Sequence, residues 1–198
     1  MTAPQFVLAS ASTARRELLI RAGIQAFASP SRFDEDSIKI SDPEKLSQVL
    51  SQNKAQLVAP LFPNALVLGC DSVMALDGVA YGKPENELEA IDRWRRMRGR
   101  TGAVVTGHTL IAPNGKMLTK VKTTKVFFSY VPDREIEAYV ATGEPMNCAG
   151  AFTIDGRGSV FIEKIEGCHT NVIGLSMPLL REMLNELGYS ITDFWSVS

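Results

Sequence analysis

The chain has 198 residues, 45% of them hydrophobic and 22% charged, a composition that builds a core without staples and excludes a fibrous or disordered chain. Its 21 basic and 22 acidic side chains nearly cancel, so bulk charge gives no reason to expect a stable nucleic-acid partner. Three scattered cysteines, Cys70, Cys148 and Cys168, form neither a disulfide framework nor a zinc pair and predict reduced thiols in a cytoplasmic protein.

The N-terminal apolar run has no basic leader, and no apolar run nears the roughly 18 residues of a membrane span, so neither a secretory signal nor a membrane partner is expected. Residues 6–9 read as a strand that runs straight into a helix, with Ser12 as N-cap, Leu18 and Leu19 as apolar face and Gly23 as stop. An acidic loop at 34–36 follows. Asp42 and Pro43 then open a second helix, with Leu46, Val49, Leu50 and Leu57 at helical spacing and Lys54 within it. Residues 65–70 read as a buried strand. Residues 73–76 and 79–81 flank Asp77-Gly78, a hairpin signal.

A third helix is predicted over 87–98, with Leu88, Ile91, Trp94 and Met97 every third residue and acids before arginines, as the helix dipole favours. Its arginines, Arg93, Arg95, Arg96, Arg98 and Arg100, read as a solvated helix end. Two β-rich stretches, 103–112 and 117–130, are joined by Pro113-Asn114-Gly115. A helix at 132–142 ends at Gly143, short strands are expected in 150–167 (notably 159–165), and a last helix spans 177–187 between Ser176 and Gly188. About five helices and seven strands in mixed order, with no linker or repeat, predict one α/β or α+β unit with a mixed sheet.

Three places carry residues suited to chemistry. At the first strand-to-helix junction, Ser10 and Ser12 stand where backbone amides are free, and Arg15 and Arg16 occupy a first turn that disfavours cations unless an anion sits above it. The same residues also read as a serine-capped helix with solvated arginines. In Gly69-Cys70-Asp71-Ser72, Asp71 is placed at a strand end, where it serves as metal ligand or general base, or as a turn aspartate. In Tyr81-Gly82-Lys83-Pro84, Lys83 is held in a turn that suits a phosphate contact; the spacing is not that of a P-loop. Lys54 and Glu35 taken singly read as solvent-exposed. Taken as a set, Ser12, Arg15, Lys54 and Lys83 would neutralise a polyphosphate, while Glu35 and Asp71 would hold a divalent metal.

This ordered set resembles the Maf family of nucleotide pyrophosphatases: Ser10, Ser12, Arg15, Leu18 and Leu19 near the start, then Phe33-Asp34-Glu35, Asn53-Lys54-Ala55, Gly69-Cys70-Asp71-Ser72 and Gly82-Lys83-Pro84. Cys148-Ala149-Gly150-Ala151-Phe152 and Asn171-Val172-Ile173-Gly174-Leu175 extend the resemblance over nearly the whole chain. It implies a single domain over 1–198: an elongated mixed β-sheet flanked by helices, in two lobes with a central cleft, like the inosine triphosphatases. It also implies hydrolysis of nucleoside triphosphates to monophosphate and pyrophosphate with Mg²⁺ or Mn²⁺, clearance of modified nucleotides as one role, and a homodimer. Carried over by position, Asp71 is the proton acceptor, and Ser10, Arg15, Glu35, Lys54 and Lys83 are further active-site positions. The family's link to septum formation leaves a second expectation, a non-catalytic nucleotide- or nucleic-acid-binding regulator of division.

Base choice in the family resembles a three-position code. The branch acting on dTTP and UTP carries Arg, Thr and Gln, and the 7-methyl-GTP branch carries Trp, Gln and Glu. The matching residues here, Ala14, Ser72 and Asp155, fit neither set. An acidic Asp155 would accept hydrogen bonds from a guanine edge, and a small Ala14 would admit a larger or modified base. His108, inside a β-rich stretch, reads as structural, and neighbouring Cys168 and His169 have poor geometry for a nucleophilic pair.

Overall fold

The computed structural model describes residues 3–195. β1 (Gln5–Leu8) is apolar on both faces, as befits a strand with parallel neighbours and cover on either side. It pairs in parallel with the two-residue β2 (Phe27–Ala28) and with β3 (Ala65–Leu76). Between them lie α1 (Thr13–Arg21) and α2 (Pro43–Val58). The Ser12 hydroxyl caps the first and the Asp42 carboxylate the second, with Pro43 at the first helical position.

β4 (Val79–Tyr81) folds back on β3 through Asp77 and Gly78, both at positive φ, the backbone a tight hairpin turn requires. After α3 (Glu87–Met97), β5 (Thr101–Ile111) and β6 (Met117–Phe128) extend the sheet antiparallel. α4 (Asp133–Ala141), β7 (Ile162–Glu166), α5 (His169–Ile173) and α6 (Met177–Glu186) complete the described chain. The sheet order is β2-β1-β3-β5-β6-β7, with β4 branching from β3. The expected mixed sheet flanked by helices is therefore the architecture found.

β3 carries two cores on one face. Leu66, Leu68 and Cys70 pack with Leu19, Leu110, Leu175, Leu180 and Met183. Further along the same face, Met74 and Leu76 pack with Trp94, Met97, Val104, Phe128 and Ile136. Between the two cores stands Ser72, so a polar seam crosses the sheet where one apolar cluster ends and the next begins. The opposite face is covered by α2, which lies very close to it. A Cβ on Gly69 would sit 2.2 Å from the Ser51 carbonyl oxygen, and one on Gly107 would sit 2.1 Å from that of Ser47. Only glycine admits a helix at that distance.

Several expectations need correction. β3 does not stop at Cys70 but runs unbroken through Asp71 and Ser72 to Leu76. Residues 157–161 form a 3₁₀ turn, and the strand expected at 159–165 begins only at Ile162. β2 and α5 went unpredicted because two residues, and one helical turn, are too short to display periodicity. Leu88, read as part of the apolar stripe of α3, is exposed, while Arg93 is buried instead of solvated. Arg93 packs there because its guanidinium reaches Glu89 and the carbonyls of Gly82 and Lys83. The remaining arginines at that helix end pair with Asp92, Asp133 and Asp77 at the surface.

Candidate active site

Odd-numbered residues of β3 face α2, and Asp71 is one of them. It lies mid-strand, not at a strand end as the sequence suggested, and is only 5% exposed. An isolated carboxylate buried there would be costly. The helix answers it: Lys54, 7% exposed, places its Nζ 2.5 Å from Asp71 Oδ1 and 2.8 Å from Glu35 Oε1. The glycine-permitted approach of α2 at Gly69 and Gly107 is what brings Lys54 within reach. The reading of Lys54 as a solvated lysine is thereby corrected, whereas Glu35, on the 3₁₀ turn Glu35–Ser37, is indeed exposed. Burial pushes the Asp71 carboxyl above the usual carboxylate range, opposed by the charges of Lys54 and Arg15.

On the seam side of the sheet, Arg15 reaches back from the first turn of α1. Its Nη1 donates to Ser10 Oγ at 3.2 Å and to the Cys70 carbonyl at 3.0 Å. Its Nη2 donates to Ser72 Oγ at 3.0 Å, and its Nε to the Gly174 carbonyl at 2.8 Å. All four acceptors are neutral. Among the described residues no carboxylate pairs with Arg15, so its positive charge is held in place without being neutralised. One of its five N–H groups is left over. Ser10 Oγ also accepts the Ser12 amide at 3.2 Å, and Ser12 Oγ the Arg15 amide at 3.3 Å, which fixes the turn on which a ligand would rest.

Ser72 does not stand free. It accepts from Arg15 and shares a hydrogen bond of 2.9 Å with Thr106. Ala14 is half-buried in the first turn of α1. Lys83 and Asp155 are both exposed. The Lys83 loop is tied down through its backbone: Arg93 donates to the carbonyls of Gly82 and Lys83, and the Gly150 amide donates to Gly82. Asp155 accepts from the Thr153 hydroxyl. Both charges act on Cys148, whose thiol burial pushes up to about 11.

The structure therefore brings Ser10, Ser12, Arg15 and Ser72 into one network and Lys54, Asp71 and Glu35 into another. Cys70 and Asp71 join the two, since Arg15 binds the carbonyl that precedes Asp71. Among the described residues, no hydrogen bond or ion pair links Lys83 or Asp155 to either group. Thr106 and Arg93 belong to the site's support and were not singled out for it. The Glu89–Arg93 spacing of four was a usable signal for the second; nothing in the sequence marks the first.

His108 lies just outside, buried beneath the seam. Its Nδ1 donates to the Thr106 carbonyl at 3.0 Å and its Nε2 accepts the Ser176 amide at 2.9 Å. Burial keeps it neutral, with a pKa pushed down to about 3. A cavity of about 200 Å³ lined by Phe6, Ile24, Asp193 and Phe194 touches none of these groups.

For a metal, the available donors are the two carboxylates that share Lys54. Among the described residues no cluster of three or more acidic, histidine or cysteine side chains exists to enclose an ion. Two carboxylates fit a hard cation that keeps its waters and takes other ligands from phosphate oxygens, the usual habit of Mg²⁺.

The Maf-like protein family model matches residues 5–187. A protein of Trichormus variabilis named nucleoside triphosphate pyrophosphatase is 58% identical over 196 residues, covering 98% of this chain and all of its own length. One of the same name from Nostoc punctiforme is 55% identical over the same span. The solved structure of a HAM1 protein from Coxiella burnetii aligns with 92% of this chain and 99% of its own, at 13% identity and a TM-score of 0.47.

Proposed function

The chain belongs to the Maf family, and we propose from that premise that it hydrolyses nucleoside triphosphates to nucleoside monophosphate and pyrophosphate along residues 69–73 of β3, which lie between the stretches paired with β1 and β4 and carry the partners of Arg15 on one face and Asp71 on the other. The observation that carries the reading is the buried Asp71, held by Lys54 and adjacent to Arg15, which pairs with no carboxylate among the described residues. A triphosphate is the kind of ligand such an arginine attracts. Ser10, Ser12 and Arg15 at the start of α1 receive phosphate oxygens, aided by the partial positive charge of the helix start. Lys83 reaches the chain of phosphates from the other side.

In the reaction, the bond between the α- and β-phosphates breaks and water supplies the new oxygen. Asp71 takes the proton of that water. A carboxyl raised by burial suits a proton acceptor better than an ordinary one, since its driving force for proton transfer is larger near neutral pH. Lys54 aims Asp71 and holds Glu35 beside it. Arg15 stabilises charge as pyrophosphate departs. Glu35 and Asp71 would hold Mg²⁺ or Mn²⁺, which when bound would neutralise charge on the phosphate oxygens.

Base choice falls to Ala14, Ser72 and Asp155, with Asp155 accepting from a purine edge through the oxygen that Thr153 does not engage and Ala14 leaving room for a modified base. Ser72 acts through Arg15, because its hydroxyl is already engaged. A cytoplasmic homodimer belongs to the same reading. Three unpaired cysteines support a reducing compartment. Exposed Leu57 near the end of α2 and Leu61 in the 3₁₀ turn after it, with Phe27 against Phe62, support a second copy as partner. Among the described residues no helix is long and apolar enough to cross a membrane.

The test is a panel of standard and modified nucleoside triphosphates with Mg²⁺ or Mn²⁺, with products separated. Monophosphate and pyrophosphate from a purine-weighted subset is the expected result. Diphosphate and phosphate would overturn the cleavage site. No turnover, with salt-dependent binding to DNA, would favour the regulator instead.

A further inference from the structure

α5 is a single helical turn with no apolar repeat, yet Asn171 at its centre is completely buried. Its Nδ2 reaches three acceptors: the carbonyls of Val104 at 3.1 Å and Lys122 at 3.2 Å, and Thr124 Oγ1 at 3.1 Å. Two amide hydrogens serve all three, so the side chain is fixed over the gap between β5 and β6. Its Oδ1 has no partner among the described residues. A buried polar group half satisfied costs stability. Burying an amide here is therefore poor economy for packing alone, and a geometric role accounts for it better.

Around this anchor the turn is tied down at its start and passes directly to the active site at its end. Thr124 Oγ1 also accepts the Cys168 amide at 3.1 Å. The Asn171 carbonyl, in turn, accepts the amide of Gly174 at 3.0 Å. Gly174 stands at φ +126°, a conformation other residues rarely adopt, and its own carbonyl receives Arg15 Nε. A Cβ there would lie 3.3 Å from that nitrogen. Among the described residues no other acceptor holds Nε, so α5 supplies one of the four bonds that orient the guanidinium, the others coming from Ser10, Cys70 and Ser72.

We infer that Asn171 is a positioning residue for Arg15, acting through the α5 turn and the Gly174 carbonyl. The inference rests on the reading of Arg15 as a phosphate ligand. The experiment is a double-mutant cycle on the full chain, with Asn171→Ser, Arg15→Lys and the pair assayed on the best substrate of the panel. Alongside it, the Arg15 Nε–H proton–nitrogen NMR signal is followed, identified by its loss in Arg15→Lys.

Misplacing a charge-stabilising group predicts a fall of about 10- to 100-fold in kcat for Asn171→Ser, with KM moving less than about threefold. In the Arg15→Lys background the same substitution is expected to cost less than about twofold, because its effect runs through Arg15. The Nε–H signal of Asn171→Ser should shift or exchange faster while the sheet amides stay in place. An unchanged cost in the Arg15→Lys background, or an unchanged Nε–H signal, would overturn the inference. Should Asn171→Ser fail to fold, Thr124→Val carries the same predictions on a nearly isosteric side chain. If Arg15→Lys itself keeps full turnover, the phosphate-ligand reading of Arg15 fails separately, and the Nε–H signal alone decides the positioning claim.

Discussion

His108 shows how a single buried residue sets a property of the whole chain. Its neutral tautomer is fixed by one donated and one accepted hydrogen bond, and its pKa falls from 6.5 to about 3. Above the unfolded value, both states are neutral at this position. As pH falls below it, the unfolded chain binds a proton that the folded chain refuses until about pH 3, so stability declines across that window. Urea midpoints taken between about pH 7.5 and 4.5 should fall in the wild-type chain. His108→Gln should start lower, since the Ser176 amide loses its partner, but decline less steeply. Parallel slopes would show that His108 does not titrate as argued. Lys54 teaches a related lesson. Taken by itself it reads as a solvated lysine, and only the motif around it marks it out, because its burial depends on a strand that lies next to it only after folding.

At the scale of elements, α2 and β3 make the site together. The permitted distance is set by two glycines on neighbouring strands, Gly69 and Gly107. Gly107→Ala places a methyl group against backbone, which a side-chain rotation cannot relieve. It is expected to cost about 2–3 kcal/mol. It should also lower turnover, because α2 must lift and Lys54 leaves Asp71. Melting temperature and activity measured on the same preparation check both; a stable, fully active Gly107→Ala would refute the close-packing argument. The helices α2, α3, α4 and α6 were legible through their caps, stops and apolar spacing. The continuity of β3 was not. Asp71 and Ser72 look like a strand break by propensity, and only cross-sheet partners, Lys54 on one face and Arg15 with Thr106 on the other, make them tolerable mid-strand. Short elements such as β2 and α5 escape any periodic reading, and α5 is the one that holds Arg15.

For the molecule as a whole, the two cores on one sheet explain where chemistry can occur. An apolar cluster cannot accommodate Arg15, Ser72 and Thr106, so they lie where one core ends and the other begins. Ser10, Arg15, Ser72 and the Gly174 carbonyl converge there because β1 and β3 are neighbours and α5 returns across the sheet. The order of the motifs is what singles out the candidate residues in the sequence. Their division into an Asp71–Lys54–Glu35 group and an Arg15 group on opposite faces of β3 is not legible there, because it depends on strand parity through a segment that propensity would have broken. Lys83 and Asp155, both close enough to Cys148 for their charges to act on it, make no hydrogen bond or ion pair with either group among the described residues.

Asp71 is the proposed proton acceptor and Arg15 the proposed ligand of the triphosphate. Asp71→Asn keeps the shape of the side chain and an acceptor for Lys54 but cannot take a proton. The direct measurement is the rate of pyrophosphate release by the folded Asp71→Asn chain beside wild type, on the preferred substrate. A loss of at least about 100-fold, with folding and substrate binding retained, is the predicted result. Pyrophosphate release at the wild-type rate would contradict it.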